Sequence, residues 1–507
     1  MPTSMSRRKF LGAAVAPAVF QIVPRHVVGR GYVAPNDKIT LGYIGLGTQG
    51  LRELGSLLAS PAIQIVAVCD PNKESNDYVD WSKNDIRNTI RRLTGDPGWR
   101  AGATGIPGGR EVGREVVETY YANDRSQEKF KGVSSYADFR EMLEREKDLD
   151  AVKIMTPDHL HAAIAIAAMK KGKHVLMHKP LANRMSEARL VIETARQSKV
   201  ATYFLPWDSN GSMDQIMGWI KDGAIGTLRE IHNWTNRPIW PQYQTLPTDT
   251  PPVPEGFDWD LWLGPAAYRP YHPNYTHAVF RGWYDFGGGA IADMGHYSLW
   301  AVFKALDLGA PISAEATPSV AAEIKDQVSG IIRNDFSFPV ACVIRFKFAA
   351  KGNTPPLELF WYDGGMRPPT PDELEEDNKK MPIEGMMFVG DRGKILSGFL
   401  LDNPRIIPER RMRDYQPHQP SPSRDRGRRG PDELARGVAA WMEACRDGRP
   451  VPGNFLEAGP ISETVNLGAV ALRVGRKIVY DAASMKITNI PKANKYLTRE
   501  YRKGWEV

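Results

Sequence analysis

The stretch KITLGYIGLGTQG, residues 38–50, with the stretch IQIVAVCDPN, residues 63–72, constrains the fold of this chain more than any other feature. The first reads as a strand running into Gly45, Gly47 and Gly50. Leu51, Leu54, Leu57 and Leu58 follow at helical spacing, and the second apolar run ends at Asp70, twenty residues after Gly50. In a chain with 46 glycines a bare GxGxxG carries little weight. The strand before it, the helix after it and the acid at the end of the next strand supply the context that a dinucleotide fold needs. The glycines permit a tight turn and let the backbone approach a pyrophosphate at the helix N-terminus. The acid can accept from the adenosine ribose hydroxyls. An acid at position 70 favours NAD over NADP, because a 2′-phosphate would meet a like charge.

The strand–helix rhythm resumes after residues 73–130, which read as an insertion of helical patches and glycine-rich chain, either a lid or a subunit contact. LDAVKIMTPDHLH reads as a strand ending at Thr156 and Pro157, HAAIAIAAMKKGK as a helix and HVLMHK as a strand. SEARLVIETARQSK is a helix that Ser186 can cap, and VATYFLP another strand. Such alternation implies a parallel sheet with ligands beyond the carboxyl ends of its strands. Lys179 falls at such an end, which points to chemistry rather than a solvated strand terminus.

The net charge of +7 does not indicate a nucleic-acid partner. Residues 1–31 contribute +5 through Arg7, Arg8, Lys9, Arg25 and Arg30 with no acid, leaving +2 for the rest (7 − 5). Residues 405–430, with eight arginines against three acids among Pro, Ser and Gly, read as a solvated, mobile loop. No run of 18 apolar residues is present, so no membrane-spanning helix is expected. SRRKFLGAAVAPAVF, with its arginine pair, reads as a twin-arginine export signal and predicts a periplasmic or other extracytoplasmic location. Cys69, Cys342 and Cys445 are few, odd in number and far apart, so no disulfide framework is expected. No Cys/His spacing suggests a metal site.

GYIGLGTQG, CDPN, TPDHLHAAIAIAAMKKGKHV and KPLA, with WDLWLGPA, GWYDFGGGAIADMGHYSLW and GNFLEAGPISETVNLGAVALR further on, resemble the glucose–fructose oxidoreductase / inositol dehydrogenase / MocA (Gfo/Idh/MocA) family in its exported branch. The resemblance covers about residues 36–507. It implies an α/β fold: residues 1–35 as signal and linker, a Rossmann domain over 36–206, and a C-terminal α/β domain over 207–507 with a large, mostly antiparallel sheet. The last helices are expected to pack back on the Rossmann domain, and the sheet implies a homo-oligomer. Cofactor contacts are expected from Gly45, Gly47, Thr48, Gln49, Gly50 and Asp70. Further contacts are expected from Thr156, Pro157, His161 and Lys179.

The family signature Glu-Lys-Pro appears here with His178 in place of the glutamate, before Lys179 and Pro180. The family's second signature is an Asp followed four residues later by a His. Here Asp293 is followed by His296 at i+3, which on a helix shares a face with i+4. Oxidising a secondary alcohol requires a proton acceptor, for which His296 is suited. Lys179 can stabilise a developing alkoxide, and Asp293 can orient both. His178 is either a second acid/base group or a packing substitute. Among the aromatics, Trp207, Trp234, Trp240, Trp283 and Tyr284 could form a platform for a pyranose, with Arg237 and Asp285 as polar contacts.

The expected function is an NAD-dependent oxidoreductase acting on a carbohydrate or polyol hydroxyl. One alternative is a redox-neutral glycosidase or lyase with tightly held NAD and a transient keto-sugar. Another is a non-catalytic, NAD-bound sugar-binding protein.

Overall fold

Six parallel strands form the first sheet of the computed structural model, which describes residues 38–125, 132–205, 212–332, 334–415 and 431–507. They are β1 (Ile39–Ile44), β2 (Ile63–Cys69), β3 (Ser134–Tyr136), β4 (Ala151–Ile154), β5 (His174–His178) and β6 (Thr202–Leu205). Their order is β3-β2-β1-β4-β5-β6. The order reverses between β1 and β4, so the ligand crevice of such a sheet opens past their carboxyl ends. β1 is almost wholly buried, as a parallel strand covered on both faces must be. Helix α1 (Thr48–Leu58) leaves β1 through the glycine turn and buries Leu51, Leu54, Leu57 and Leu58. Gly45 has φ of +94°, a conformation that only glycine adopts readily. A Cβ on Gly50 would lie 2.2 Å from the Gly45 carbonyl oxygen, so the turn and the helix can close only on glycine.

Between β2 and β3, the insertion carries two helices, α2 (Asp85–Thr94) and α3 (Arg110–Asp124). Its first residues cross the carboxyl edge of the sheet and bind the second half of the chain. Lys73 N–H donates to Gly256 O at 2.8 Å, and Asp77 pairs with His277 at 3.2 Å. After β3 come α4 (His161–Lys170) and α5 (Met185–Ser198), which cover the sheet beside β4 and β5.

The second sheet has nine strands. They are β7 (Leu228–Trp234), β8 (Ser313–Pro318), β11 (Cys342–Phe348), β12 (Leu357–Tyr362), β13 (Gly385–Gly390), β14 (Lys394–Ser397), β15 (Arg405–Ile407), β16 (Ile478–Asp481) and β17 (Lys486–Ile487). All neighbours are antiparallel except β7 and β12. A separate hairpin joins β9 (Ala321–Lys325) to β10 (Val328–Ile332). Helix α6 (His296–Ala305) sends Leu299, Val302 and Phe303 into the core shared with Ile344, Phe346 and Leu359 of the sheet.

The terminal helices return to the first sheet. α7 (Pro431–Asp447) places Trp441 in the cluster of Leu51, Leu54 and Tyr203. α8 (Gly459–Val474) lies on α5, where Glu463 pairs with Arg189 at 2.8 Å. The arginine-rich stretch expected as a loop begins differently. Ile406 and Ile407 are buried, and β15 pairs with β14, because two isoleucines at an edge strand outweigh the surrounding charge. Residues 416–430, like 1–37 and Trp207, lie outside the described residues.

Candidate active site

A cavity of about 330 Å³ opens where the first sheet meets the second half of the chain. The glycine turn forms one wall, with Gly45, Gly47, Thr48, Gln49 and Gly50 all lining it. The cap of α1 carries no side-chain hydrogen bond and its first turn no acid, so its backbone donors remain available to an anion. Asp70 lines the same cavity. Its Oδ2 accepts from Leu46 N–H at 2.7 Å and its Oδ1 from Asn72 N–H at 2.9 Å. Each oxygen keeps a further lone pair for a ribose hydroxyl. Burial raises the Asp70 carboxyl above its ordinary value, against these backbone donors. Tyr78 and Trp81 of the insertion complete this end of the cavity. The glycine cradle, the open helix end and the free acceptor capacity of Asp70 fit a dinucleotide. Thr156 and Pro157 also line the cavity, at the end of β4. His161 does not; its ring nitrogens are taken by Pro180 O at 2.5 Å and Thr156 O at 2.9 Å, so it ties the segments after β4 and β5 together.

At the other end Lys179 reaches the cavity from β5. It is 3% exposed, and its ammonium donates to Asp293 while lying 4.9 Å from the centroid of the Tyr297 ring. Arg281 Nε also contacts Asp293, at 3.2 Å. Burial alone would raise the Asp293 carboxyl, but Lys179 and Arg281 outweigh it and hold it at about 2. Burial, with Arg281 nearby, draws Lys179 below its ordinary value against the pull of Asp293. Arg237 lines the cavity as well, its guanidinium 5.2 Å from the centroid of the Trp81 ring, and its Nε and Nη1 make no hydrogen bond among the described residues.

The histidine expected at the site is elsewhere. His296 does not line the cavity: its Nδ1 donates to Ala292 O at 3.0 Å, and its ring packs on Phe204. The cause is a π-turn over Ile291–Gly295. Its hydrogen bonds span five residues instead of four, so i+4 rather than i+3 comes round beside Asp293. Residue i+4 is Tyr297, which lines the cavity. Its hydroxyl lies 2.8 Å from His178 Nε2. His178 Nδ1 in turn lies 2.9 Å from Glu53 Oε1, close but bent from the line of a ring N–H. Glu53, on α1, also accepts from Lys153 Nζ at 2.8 Å and Gln49 Nε2 at 3.0 Å. Burial lowers His178 to about 4 against the pull of Glu53, so the ring is neutral at pH 7. Burial would raise Glu53, but Lys153 and His178 hold it well below the carboxylate range.

The expected sugar platform is not assembled among the described residues. Trp283 is buried with its indole N–H on Asn274 O at 2.7 Å, and Asp285 is bound by Arg184 and Arg269. Trp234, Trp240 and Tyr284 are buried and also lie outside the cavity wall. Phe257, Trp262 and Phe280 line it instead. Tyr297 and Glu53 had no distinguishing sequence signal except the position of Tyr297 four residues after Asp293.

Acid is expected to destabilise the fold. His159, His178 and His296 are buried and neutral, with burial lowering them to about 3, 4 and 3. The unfolded chain binds protons at these histidines from about pH 6.5 downward and the folded chain does not, so their contribution is full above about 6.5 and is lost as pH falls toward 3–4. Asp293, depressed to about 2, adds in the same direction below about pH 4. Tm measured from pH 8 to 4 should fall on the acid side, and a Tm that rises there would contradict this.

Comparisons with known proteins agree with the fold. Residues 98–204 match the model described as "Oxidoreductase family, NAD-binding Rossmann fold", and residues 213–346 match "Oxidoreductase family, C-terminal alpha/beta domain". A glycosyl hydrolase family 109 protein of Shewanella baltica is 24% identical over 243 residues, 44% of this chain and 44% of that protein. The levoglucosan dehydrogenase of Pseudarthrobacter phenanthrenivorans is 29% identical over 114 residues, 21% of this chain and 29% of that protein. The chain thus spans less than half the length of either relative. Among solved structures, the WlbA dehydrogenase of Chromobactrium violaceum, in complex with NADH and UDP-GlcNAcA, aligns with a TM-score of 0.51 at 14% identity, over 89% of this chain and 98% of that one.

Proposed function

We propose that this chain is a Gfo/Idh/MocA-family oxidoreductase and that it moves a hydride between a carbohydrate or polyol carbon and NAD. The observation that carries the reading is the Lys179–Asp293 pair, set in the cavity that the glycine turn and Asp70 also line. A bound nicotinamide supplies the hydride acceptor. Lys179 stabilises the alkoxide that develops on the substrate oxygen. Asp293 fixes the ammonium, and Arg281 keeps that carboxylate in place. Tyr297 takes the position from which the hydroxyl proton is removed. Arg237, with its unpartnered N–H groups, holds substrate oxygens. The names of the sugar dehydrogenase relatives support the substrate class.

The resemblance to glycosyl hydrolase family 109 proteins favours a second reading, in which the oxidation is transient and a glycoside is cleaved. Mass spectrometry of products from a panel of glycosides, with cofactor absorbance followed in parallel, separates the two. NADH in step with an oxidised product supports the dehydrogenase. Cleaved glycoside without net NADH supports the glycosidase. No product of either kind sinks both.

Asp70 underlies the choice of NAD over NADP. Asp70→Ala should narrow the preference, since it removes both the ribose acceptor and the repulsion of a 2′-phosphate. Tighter NADP than NAD binding by the wild type in calorimetry would defeat this assignment. The arginine pair Arg7 and Arg8 supports export with the cofactor already bound. Replacing both with Lys should hold the precursor in the cytoplasm, and unchanged export of the double variant would refute the signal.

A further inference from the structure

Resting on that reading, we propose that Tyr297, His178 and Glu53 form a proton relay, in which Tyr297 takes the substrate hydroxyl proton while passing its own to His178, and Glu53 holds His178 in the tautomer that can receive it. The positions dictate the direction. Glu53 Oε1 lies 2.9 Å from Nδ1, bent from the line of the ring N–H, and the charge of that carboxylate draws the proton of the neutral imidazole to Nδ1. Nε2 is then a bare acceptor, 2.8 Å from the Tyr297 hydroxyl, which must be the donor. Tyr297 lines the cavity, where the substrate hydroxyl would be bound. His178 and Glu53 are 5% and 7% exposed, so the relay is shielded from water. The other charged or titratable groups facing His178 are Lys153 on β4, Lys179 beside it and His296 on α6. Lys153 neutralises Glu53 from below, which keeps a buried carboxylate tolerable.

The balance closes within the site. The substrate carbon loses an electron pair with its hydrogen, as hydride to the nicotinamide. Its hydroxyl oxygen loses a proton to Tyr297 O, the Tyr297 O–H bond breaks, and a proton arrives on His178 Nε2. The imidazolium so formed faces Glu53. In the reverse reduction each proton retraces its path. Tyr297 is the catalytic residue here, whereas His178 and Glu53 are positioning residues that act through it. The arrangement also accounts for the histidine in place of the family glutamate: the carboxylate comes from α1 instead of β5.

Nitrogen-15 NMR of histidine-labelled, full-length protein with NAD added reads the tautomer without any substrate, the His178 signal being identified by its loss in His178→Gln. The wild type should show protonated Nδ1 and bare Nε2. Glu53→Gln should shift the population toward protonated Nε2. If the orphaned Lys153 prevents that variant from folding, the neutral pair Glu53→Gln/Lys153→Met provides the same test. In single-turnover NADH formation with glucose, galactose and myo-inositol, the variants should lose on the order of ten-thousandfold in rate, as when a triad histidine loses its orienting carboxylate. Their affinity for NAD should not change. Protonated Nε2 in the wild type, or an unchanged rate in the variants, would overturn the relay. If none of the three sugars reduces NAD in the wild type, the dehydrogenase reading fails for them, and the tautomer alone then decides the relay.

Discussion

Lys179→Met is expected to lower turnover by roughly a hundredfold or more, the scale set by removing one preorganised donor from a developing oxyanion. The fold should survive. Arg281 remains 3.2 Å from Asp293, so the substitution does not strand a buried carboxylate without a counter-cation. Methionine keeps the length and the apolar stem that Lys179 buries. Affinity for NAD should change little, because the glycine turn and Asp70 lie at the other end of the cavity. Lys179→Arg should not restore the rate: the ammonium sits between Asp293 and the Tyr297 ring, and a planar guanidinium cannot occupy a site shaped for a compact cation. Near-wild-type turnover in Lys179→Met, measured with any sugar that the wild type oxidises, would make this lysine a buried counter-ion and nothing more.

The second large effect is expected at Tyr297. Tyr297→Phe removes one oxygen and keeps the ring, so the packing beside Lys179 is preserved. What is lost is the hydroxyl 2.8 Å from His178 Nε2. If that hydroxyl is the acid/base group, the variant should lose about 10²–10⁴ in kcat, the usual contribution of a positioned proton acceptor. His296→Gln, in contrast, should affect stability more than chemistry, because His296 faces Phe204 and the Ala292 carbonyl. The reverse outcome, a small loss at Tyr297 and a large one at His296, would mean that His296 and not Tyr297 handles the proton.

The dinucleotide half of the site was legible in the sequence because its signals are local. Gly45, Gly47 and Gly50 sit inside one turn, and Asp70 ends the next strand, so strand period, helix period and spacing all refer to neighbouring residues. Lys179 was legible for the same reason, at the end of an apolar run in a βα rhythm. The proposed proton-handling half was not. Glu53 looks like any polar residue on an amphipathic helix, and only tertiary packing brings it to His178 and Lys153, the latter 100 positions along the chain. Tyr297 was hidden by the assumption of regular helix geometry: at α-helical pitch His296 and Tyr297 are equally good neighbours of Asp293, and the π-turn decides between them. Trp283 and Asp285 misled because aromatic and acidic residues near a glycine-rich motif suggest a sugar site. Here the indole caps Asn274 and the carboxylate bridges two arginines.

Transfer of deuterium from a sugar to the cofactor tests the central claim most directly. Glucose, galactose and their methyl glycosides, deuterated at every ring carbon, would be incubated with the NAD-loaded protein, and the cofactor then released and weighed by mass spectrometry. The account predicts one deuterium at C4 of the nicotinamide for each NADH formed by net oxidation, or at most one per occupied site when a closed redox cycle is quenched before the hydride returns, and its loss in Lys179→Met. Product formed by the wild type with no label in the cofactor, either released or trapped by quenching during turnover, would contradict it, since no hydride would then have passed through the site that Lys179, Asp293 and Tyr297 surround.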